Sequence, residues 1–108
     1  MSGPRLAVFN AGMAKVYVMA DIEVTDPEAY EDYKRMSTAS AERYHGRWLV
    51  RGGAVDVLEG EWQPHRLVVL EFDDEDSARR WYDSPEYAEA KAVRVRSARS
   101  SLLLVRGA

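Results

Sequence analysis

The chain has no cysteine, which excludes disulfides, thiolate nucleophiles and cysteine-based metal sites. This absence agrees with a reducing compartment, so a cytoplasmic location is expected. Only two histidines occur, without a suitable cluster of carboxylates, and a metal site is therefore not expected. An excess of positive charge is also missing: the net charge of −3 gives no basic field that would attract nucleic-acid phosphates. We expect no metal, no cofactor and no nucleic-acid partner.

Long apolar runs are missing as well. Residues 1–14 carry one arginine and a short, broken apolar run, too weak for a signal peptide and too short to span a membrane. We expect these residues to be a loose N-terminal extension, and no membrane partner. The length of 108 residues suits one domain, which we place at residues 15–107.

What the chain does contain is a regular succession of strand and helix patterns. "KVYVMADIEV" alternates β-branched and polar positions with period two, which predicts a half-buried strand. A helix is predicted from Pro27, after the capping residue Asp26, to His45, with Gly46 as its left-handed terminator. The remaining predicted elements are one long strand over "RWLVRGGAVDVLEG", a strand over 66–73, two helices joined at Ser84 and Pro85, and a final strand over 101–107.

The order β-α-β-β-α-β is that of the ferredoxin-like arrangement. We therefore expect an α+β fold in which helices cover one face of a four-stranded antiparallel sheet. The opposite face would carry Tyr17, Met19, Leu67 and Val69, which is too apolar to leave in water. A second copy of the chain covering this face, that is a homodimer, is the simplest interpretation.

The stretch "VRGGAVDVLEG", residues 50–60, has two interpretations. A phosphate-binding loop needs its glycines between a strand and a helix N-terminus. Here a strand pattern follows Gly52 and Gly53, so a bulge that bends one long strand is predicted instead.

Arg51 and Glu71 are predicted to lie on the sheet face opposite the core. One interpretation is an ion pair at a subunit interface, and the other is a catalytic carboxylate with its partner. His45 has the same ambiguity, between a last-turn residue beside the helix dipole and a catalytic group.

Hydroxylated and aromatic side chains follow the inward stripe of the first helix and recur later in the chain. Core packing and the lining of a small-molecule pocket are compatible interpretations. Arg94 lies in a basic helix end, which suits either an anion or a solvated, dipole-matched face. The candidate substrate-binding residues are Tyr30, Tyr33, Trp48, Trp81, Tyr87 and Arg94.

The segments "VTDPEAYEDY", "RGGAVDVLEGEW", "RLVVLEF", "WYDSPEYAEAKAVR" and "LLLVRG" resemble the bacterial domain-of-unknown-function family 1330 over residues 15–107. The resemblance implies a ferredoxin-like subunit that pairs into a dimeric α+β barrel. Similar barrels include cofactor-independent monooxygenases, muconolactone isomerases and haem-dependent chlorite dismutases. The family often has Gly-Gly after the helix tyrosine, whereas "YHGR" places His45 first.

Two hypotheses of function remain open. The first is a homodimer that binds a small organic metabolite and acts on it without a cofactor, by proton transfer or cofactor-free oxidation of an enolisable or aromatic substrate. His45, Arg51 and Glu71 would then be the catalytic candidates. The second is a non-catalytic binding or accessory module whose pocket only holds a ligand or is filled by side chains. A cavity with convergent polar groups favours the first, and interlocked core aromatics favour the second.

Overall fold

The computed structural model describes residues 14–108, and the expectation for the N-terminal extension lies outside the described residues except at Ala14. No helix in this part of the chain is long and apolar enough to cross a membrane. The elements are β1 (Val16–Val24), α1 (Pro27–Arg43), β2 (Arg47–Arg51), β3 (Arg66–Phe72), α2 (Glu75–Tyr82), α3 (Pro85–Ser97) and β4 (Ala98–Arg106).

The four strands form one antiparallel sheet in the order β2-β3-β1-β4. The helices cover one face of this sheet, and the predicted ferredoxin-like α+β fold is confirmed. We call the covered face the helix side and the other the open face.

The central strand β1 decides which residues enter the core. Its even-numbered side chains, Val16, Val18, Ala20 and Ile22, are buried on the helix side. They pack with Leu70 and Phe72 of β3 and with aromatic side chains of the helices. Because side chains alternate along a strand, the odd-numbered residues of β1 and β3 point to the open face.

Helix α1 begins as the sequence predicts and ends earlier. The side chain of Asp26 accepts a hydrogen bond from the backbone N–H of Ala29 at 3.2 Å, which caps the N-terminus. At the other end the left-handed residue is His45, with φ of 65°, and not Gly46 as predicted. The N–H of Gly46 donates to the carbonyl of Ala41 at 2.9 Å, as in a Schellman motif.

Gly46 has a packing role instead. A Cβ at this position would lie 3.0 Å from Cζ of Phe72, so the absence of a side chain lets the chain pass over the core. Glycine is needed here for close approach, and its conformational freedom is not used.

The second half of the helix side follows the predicted joint at Ser84. Its hydroxyl donates to the carbonyl of Trp81 and accepts from the N–H of Tyr87, ending α2 and capping α3. Strand β4 begins at Ala98, directly after α3, three residues before the predicted start. On its open face Leu103 and Val105 are exposed in the single chain.

The long strand predicted over residues 47–60 is wrong beyond Arg51. The backbone N–H of Gly52 donates to the carbonyl of Leu67 at 2.7 Å, and φ of 76° at Gly52 then turns the chain away. Since β3 starts at Arg66, no strand of the described chain remains to pair with residues 54–58. Val55, Val57 and Leu58 are consequently exposed.

Replacing His45 by glycine is expected to stabilise the protein by about 1 kcal/mol, because a side chain disfavours the left-handed conformation by roughly that amount. Glu42→Gly is the matched control: it lies inside the helix, where glycine is expected to cost about 1 kcal/mol. Urea unfolding of the three proteins measures both effects. A loss of stability in His45→Gly would contradict the helix-end geometry.

Candidate functional site

A bulge in β2 determines the position of Arg51. The pairing of β2 with β3 shifts by one residue between Trp48 and Val50. Trp48 lies opposite Leu70 and Arg51 opposite Val68, so both face the helix side. This bulge precedes the glycines, and the bulge predicted at Gly52 and Gly53 is not formed, because β2 ends at Arg51.

Beneath α1 lies a small, partly enclosed space of about 30 Å³, which we call the inner cavity. Its volume suits a water molecule or a single oxygen-bearing group. Buried Tyr30, Tyr33, Ser37 and Trp81 line it from the helices, and β1, β3 and β4 supply the apolar floor. Trp48, Arg51 and Arg66 complete the lining.

Above the inner cavity is an open space of about 560 Å³, which we call the basin. The two spaces adjoin, because Lys34, Arg51 and Arg66 line both of them. The other residues of the basin are Glu31, Arg35 and Thr38. A ligand lying in the basin could therefore insert one small group into the inner cavity.

The guanidinium of Arg51 is held from two sides. Its Nη2 donates to Oγ1 of Thr38 at 2.7 Å, and its Cζ lies 4.6 Å from the centre of the Trp48 ring. Arg66 lies deeper, with its Cζ 5.8 Å from the centre of the Tyr30 ring. Two cations from neighbouring strands thus meet aromatic side chains at the opening of the inner cavity.

Two donors at this site have no acceptor. Nε of Arg66 and Nε1 of Trp48 are buried, and neither has a hydrogen-bond partner among the described residues. A buried donor without a partner is unfavourable and uncommon in folded proteins. Both side chains line the inner cavity, which is therefore suited to an acceptor.

Tyr87 and Arg94 lie behind this lining. The hydroxyls of Tyr33 and Tyr87 are 2.9 Å apart in the core, and Arg94 is buried with a hydrogen bond to Oγ of Ser100. Neither Tyr87 nor Arg94 lines the inner cavity or the basin. Tyr87 therefore contacts the lining through the hydroxyl of Tyr33.

The tyrosines of the lining are neutral donors. Burial raises the pKa of Tyr33 far above its usual value. Burial also raises the pKa of Tyr30, against the opposing charge of Arg66. In the described lining of the inner cavity there is neither a histidine nor a carboxylate. The described lining of the inner cavity thus offers hydrogen-bond donors and positive charge, and it holds no carboxylate or imidazole that could act there as a general base.

The ion pair expected between Arg51 and Glu71 is not formed. Glu71 lies on the open face, where it accepts a hydrogen bond from Nε of Arg47 at 2.9 Å, and this bond lowers the pKa of its carboxyl. The prediction that Arg51 and Glu71 share one face of the sheet is wrong, because the bulge moves Arg51 to the other face. His45 is exposed at the end of α1 and lines neither space. Among the catalytic candidates, only Arg51 lies at the site.

Sequence reasoning missed Arg66, Lys34 and Thr38 as residues of the site. For Arg66 a signal existed. It shares strand parity with Val68, Leu70 and Phe72, so a charged residue begins an inward-facing apolar row.

A second groove, of about 190 Å³, runs between α2 and β4. Its lining includes Tyr82, Leu102 and Leu104. Two charged side chains line it, Asp83 and Arg79, and Arg79 is paired with Glu75 at 2.8 Å. This groove has room but no buried donor that lacks a partner, so the inner cavity and basin are the better candidate. The described residues also contain no group of three side chains that could hold a metal ion.

Residues 15–108 match the family model "Domain of unknown function (DUF1330)". The chain belongs to this family. The match spans all seven elements of the fold and both spaces of the candidate site. No curated protein matches the sequence.

Solved structures similar to this DUF1330 chain agree on the fold. A protein of unknown function from Rhodopseudomonas palustris is 20% identical, with 97% of this chain and 92% of that chain covered and a TM-score of 0.73. SnoaB, a cofactor-independent oxygenase from Streptomyces nogalater, is 16% identical, with 88% and 94% covered and a TM-score of 0.65. A dimeric ferredoxin-like protein of unknown function from Thermobifida fusca is 14% identical, with 87% and 92% covered and a TM-score of 0.59.

Gly52→Ala is expected to disturb the site, whereas Gly53→Ala is not. A Cβ at Gly52 would lie 2.2 Å from Nη1 of Arg66, and φ is 76° there. The strain should cost about 1–2 kcal/mol. A Cβ at Gly53 meets nothing within 4 Å. Thermal unfolding of the two variants checks this, and equal midpoints would contradict the contact between Gly52 and Arg66.

Proposed function

We propose that this protein is a homodimeric small-molecule-binding protein whose ligand is a small aromatic or enolisable metabolite. The ligand would lie in the basin against Trp48 and insert one oxygen-bearing group into the inner cavity. The observation that carries this proposal is the meeting of a water-sized cavity with two buried donors that lack acceptors.

Binding is favoured over acid-base catalysis by the chemistry of the lining. The aromatic rings beneath the basin are tightly packed: the ring centres of Trp81 and Tyr87 are 4.2 Å apart, and those of Phe72 and Trp81 are 5.5 Å apart. The inner cavity is therefore too small for a ring. Without a group that titrates near neutral pH, the lining could hold a ligand but could not readily remove its proton.

A second candidate function is cofactor-free chemistry on a ligand that ionises readily by itself. Arg51 and Arg66 favour this candidate, because two guanidinium groups would stabilise an enolate or phenolate oxygen as its charge develops. The likeness to the oxygenase SnoaB is compatible with this reading, but at 16% identity it carries the fold alone.

The proposal of a homodimer rests on the open face of the sheet. Apolar side chains of all four strands lie there: Val50, Leu67, Val69, Met19, Leu103 and Val105. Leu103 is 62% exposed in the single chain. The segment 54–58, which has a strand pattern but no strand partner in the described chain, adds further apolar surface. A second copy would cover both, and the similar protein from Thermobifida fusca is dimeric.

A thermal-shift measurement on the full chain with a panel of small aromatic and enolisable metabolites tests the binding function. A ligand at 100 times its Kd adds about 2.7 kcal/mol, which is a rise in Tm of about 10 °C or more. The shift should vanish in Trp48→Ala and persist in Trp62→Ala, which removes an exposed indole of the loop before β3. No shift with any compound, or a full shift in Trp48→Ala, would overturn the proposal.

Sedimentation at micromolar concentration tests the homodimer. The unchanged protein is expected to sediment as a dimer and Leu103→Lys as a monomer, because a lysine would bury its charge in the interface. Val95→Lys is the matched control, since Val95 is 64% exposed on α3, away from the open face. A monomeric unchanged protein, or a dimer that Leu103→Lys leaves intact, would contradict the proposed interface.

A further inference from the structure

The charges around the basin are unevenly neutralised. Lys34 pairs with Glu31 at 2.8 Å, and Arg35 pairs with Asp32 at the same distance. Arg51 and Arg66 have no carboxylate within 4.0 Å among residues 14–108. The basin therefore keeps two positive charges that this part of the chain does not neutralise.

Most of the other described arginines, in contrast, are paired with a carboxylate. Arg47, Arg79 and Arg106 are exposed, yet each lies within 3.0 Å of a carboxylate oxygen. Arg66 is more buried and loses more hydration, but it has no such partner. Unpaired charge placed where water is scarce indicates a site for an anion that binds from solution.

The donors are held in place before any ligand arrives. Thr38 and the Trp48 ring fix Arg51, and Gly52 leaves the space that the Arg66 guanidinium occupies. Guanidinium and indole nitrogens donate and never accept, so these two groups favour an acceptor atom over a group that only donates, such as an ammonium.

We propose that the ligand is a small carboxylate borne on a planar ring. One carboxylate oxygen enters the inner cavity and accepts from Nε of Arg66 and Nε1 of Trp48. Arg51 neutralises the charge at the opening, and the ring lies in the basin against the indole of Trp48. This inference rests on the proposed function and adds the charge of the ligand to it.

Benzoate and its neutral counterpart benzamide test the inference by titration calorimetry on the full chain. Benzoate is expected to bind at least about tenfold more tightly than benzamide, as expected for a site whose buried donors and charges require an anion. Because the attraction is between charges, benzoate binding should also weaken between 0.05 M and 0.5 M salt.

Substitutions of arginine test which side chain binds the carboxylate of benzoate. Arg66→Gln should weaken benzoate binding at least about tenfold, and Arg66→Lys should recover part of the loss, because it restores the charge but not the planar donor. Arg43→Gln is the matched control: Arg43 is paired with Glu86 at 3.2 Å and lines neither space, so its change should leave binding within about twofold. Thermal unfolding of each variant confirms that it is folded.

Failure of the carboxylate inference and failure of the binding function give different results. Equal binding of benzoate and benzamide, or benzoate binding that Arg66→Gln leaves unchanged, would overturn the carboxylate inference while the binding function stands. If neither compound binds but a neutral metabolite of the thermal-shift panel does, the carboxylate inference alone fails. If nothing binds, both fail, and the inner cavity holds water only.

Discussion

A single register shift in β2 sets the chemistry of the molecule. Because side chains alternate along a strand, Arg51 would share the open face with Arg47 if the pairing with β3 were regular. The bulge between Trp48 and Val50 moves Arg51 to the helix side, where Arg66 of the adjacent strand also lies. Both cations then face α1, while Arg47 remains on the open face with Glu71.

The packing around these cations explains why the inner cavity is small. Trp81, Tyr87 and Phe72 fill the space between the helices and the sheet, so little volume remains beneath α1. What remains is lined by hydroxyl, indole and guanidinium groups. Leaving a buried donor without a partner costs about 1–3 kcal/mol, and a bound acceptor would recover that free energy. The protein without its ligand is therefore less stable than it could be, and the cost lies at the site where the ligand binds.

Much of the fold could be predicted from the sequence, because it depends on local patterns. The alternation in β1, the cap at Asp26 and the Ser-Pro joint at Ser84 each specify an element by short-range physics. Predictions failed where a distant segment decides the outcome. The strand predicted over residues 54–58 is not formed, because a strand needs a partner and β3 begins too late in the chain to supply one.

The site was less predictable for the same reason. Tyr30, Tyr33, Trp48 and Trp81 were recognised because aromatic residues on an inward stripe are visible in the sequence. The side of the sheet on which Arg51 lies depends on a bulge that no residue in the sequence indicates. The position of Arg66 in an inward-facing row could be read from the sequence. Only the structure shows that its Nε lacks a partner, whereas Arg47 is paired with Glu71.

The central claim is that an anionic ligand supplies the acceptor that the buried Nε of Arg66 and Nε1 of Trp48 lack. Side-chain ¹⁵N–¹H spectroscopy during addition of benzoate tests it most directly, with the two signals assigned through Arg66→Lys and Trp48→Phe. The account predicts that Nε–H of Arg66 and Nε1–H of Trp48 shift together and saturate at the same ligand concentration, while the exposed indole of Trp62 stays unchanged. A saturating shift of Trp62 alone, or no shift of the Arg66 and Trp48 signals, would contradict it.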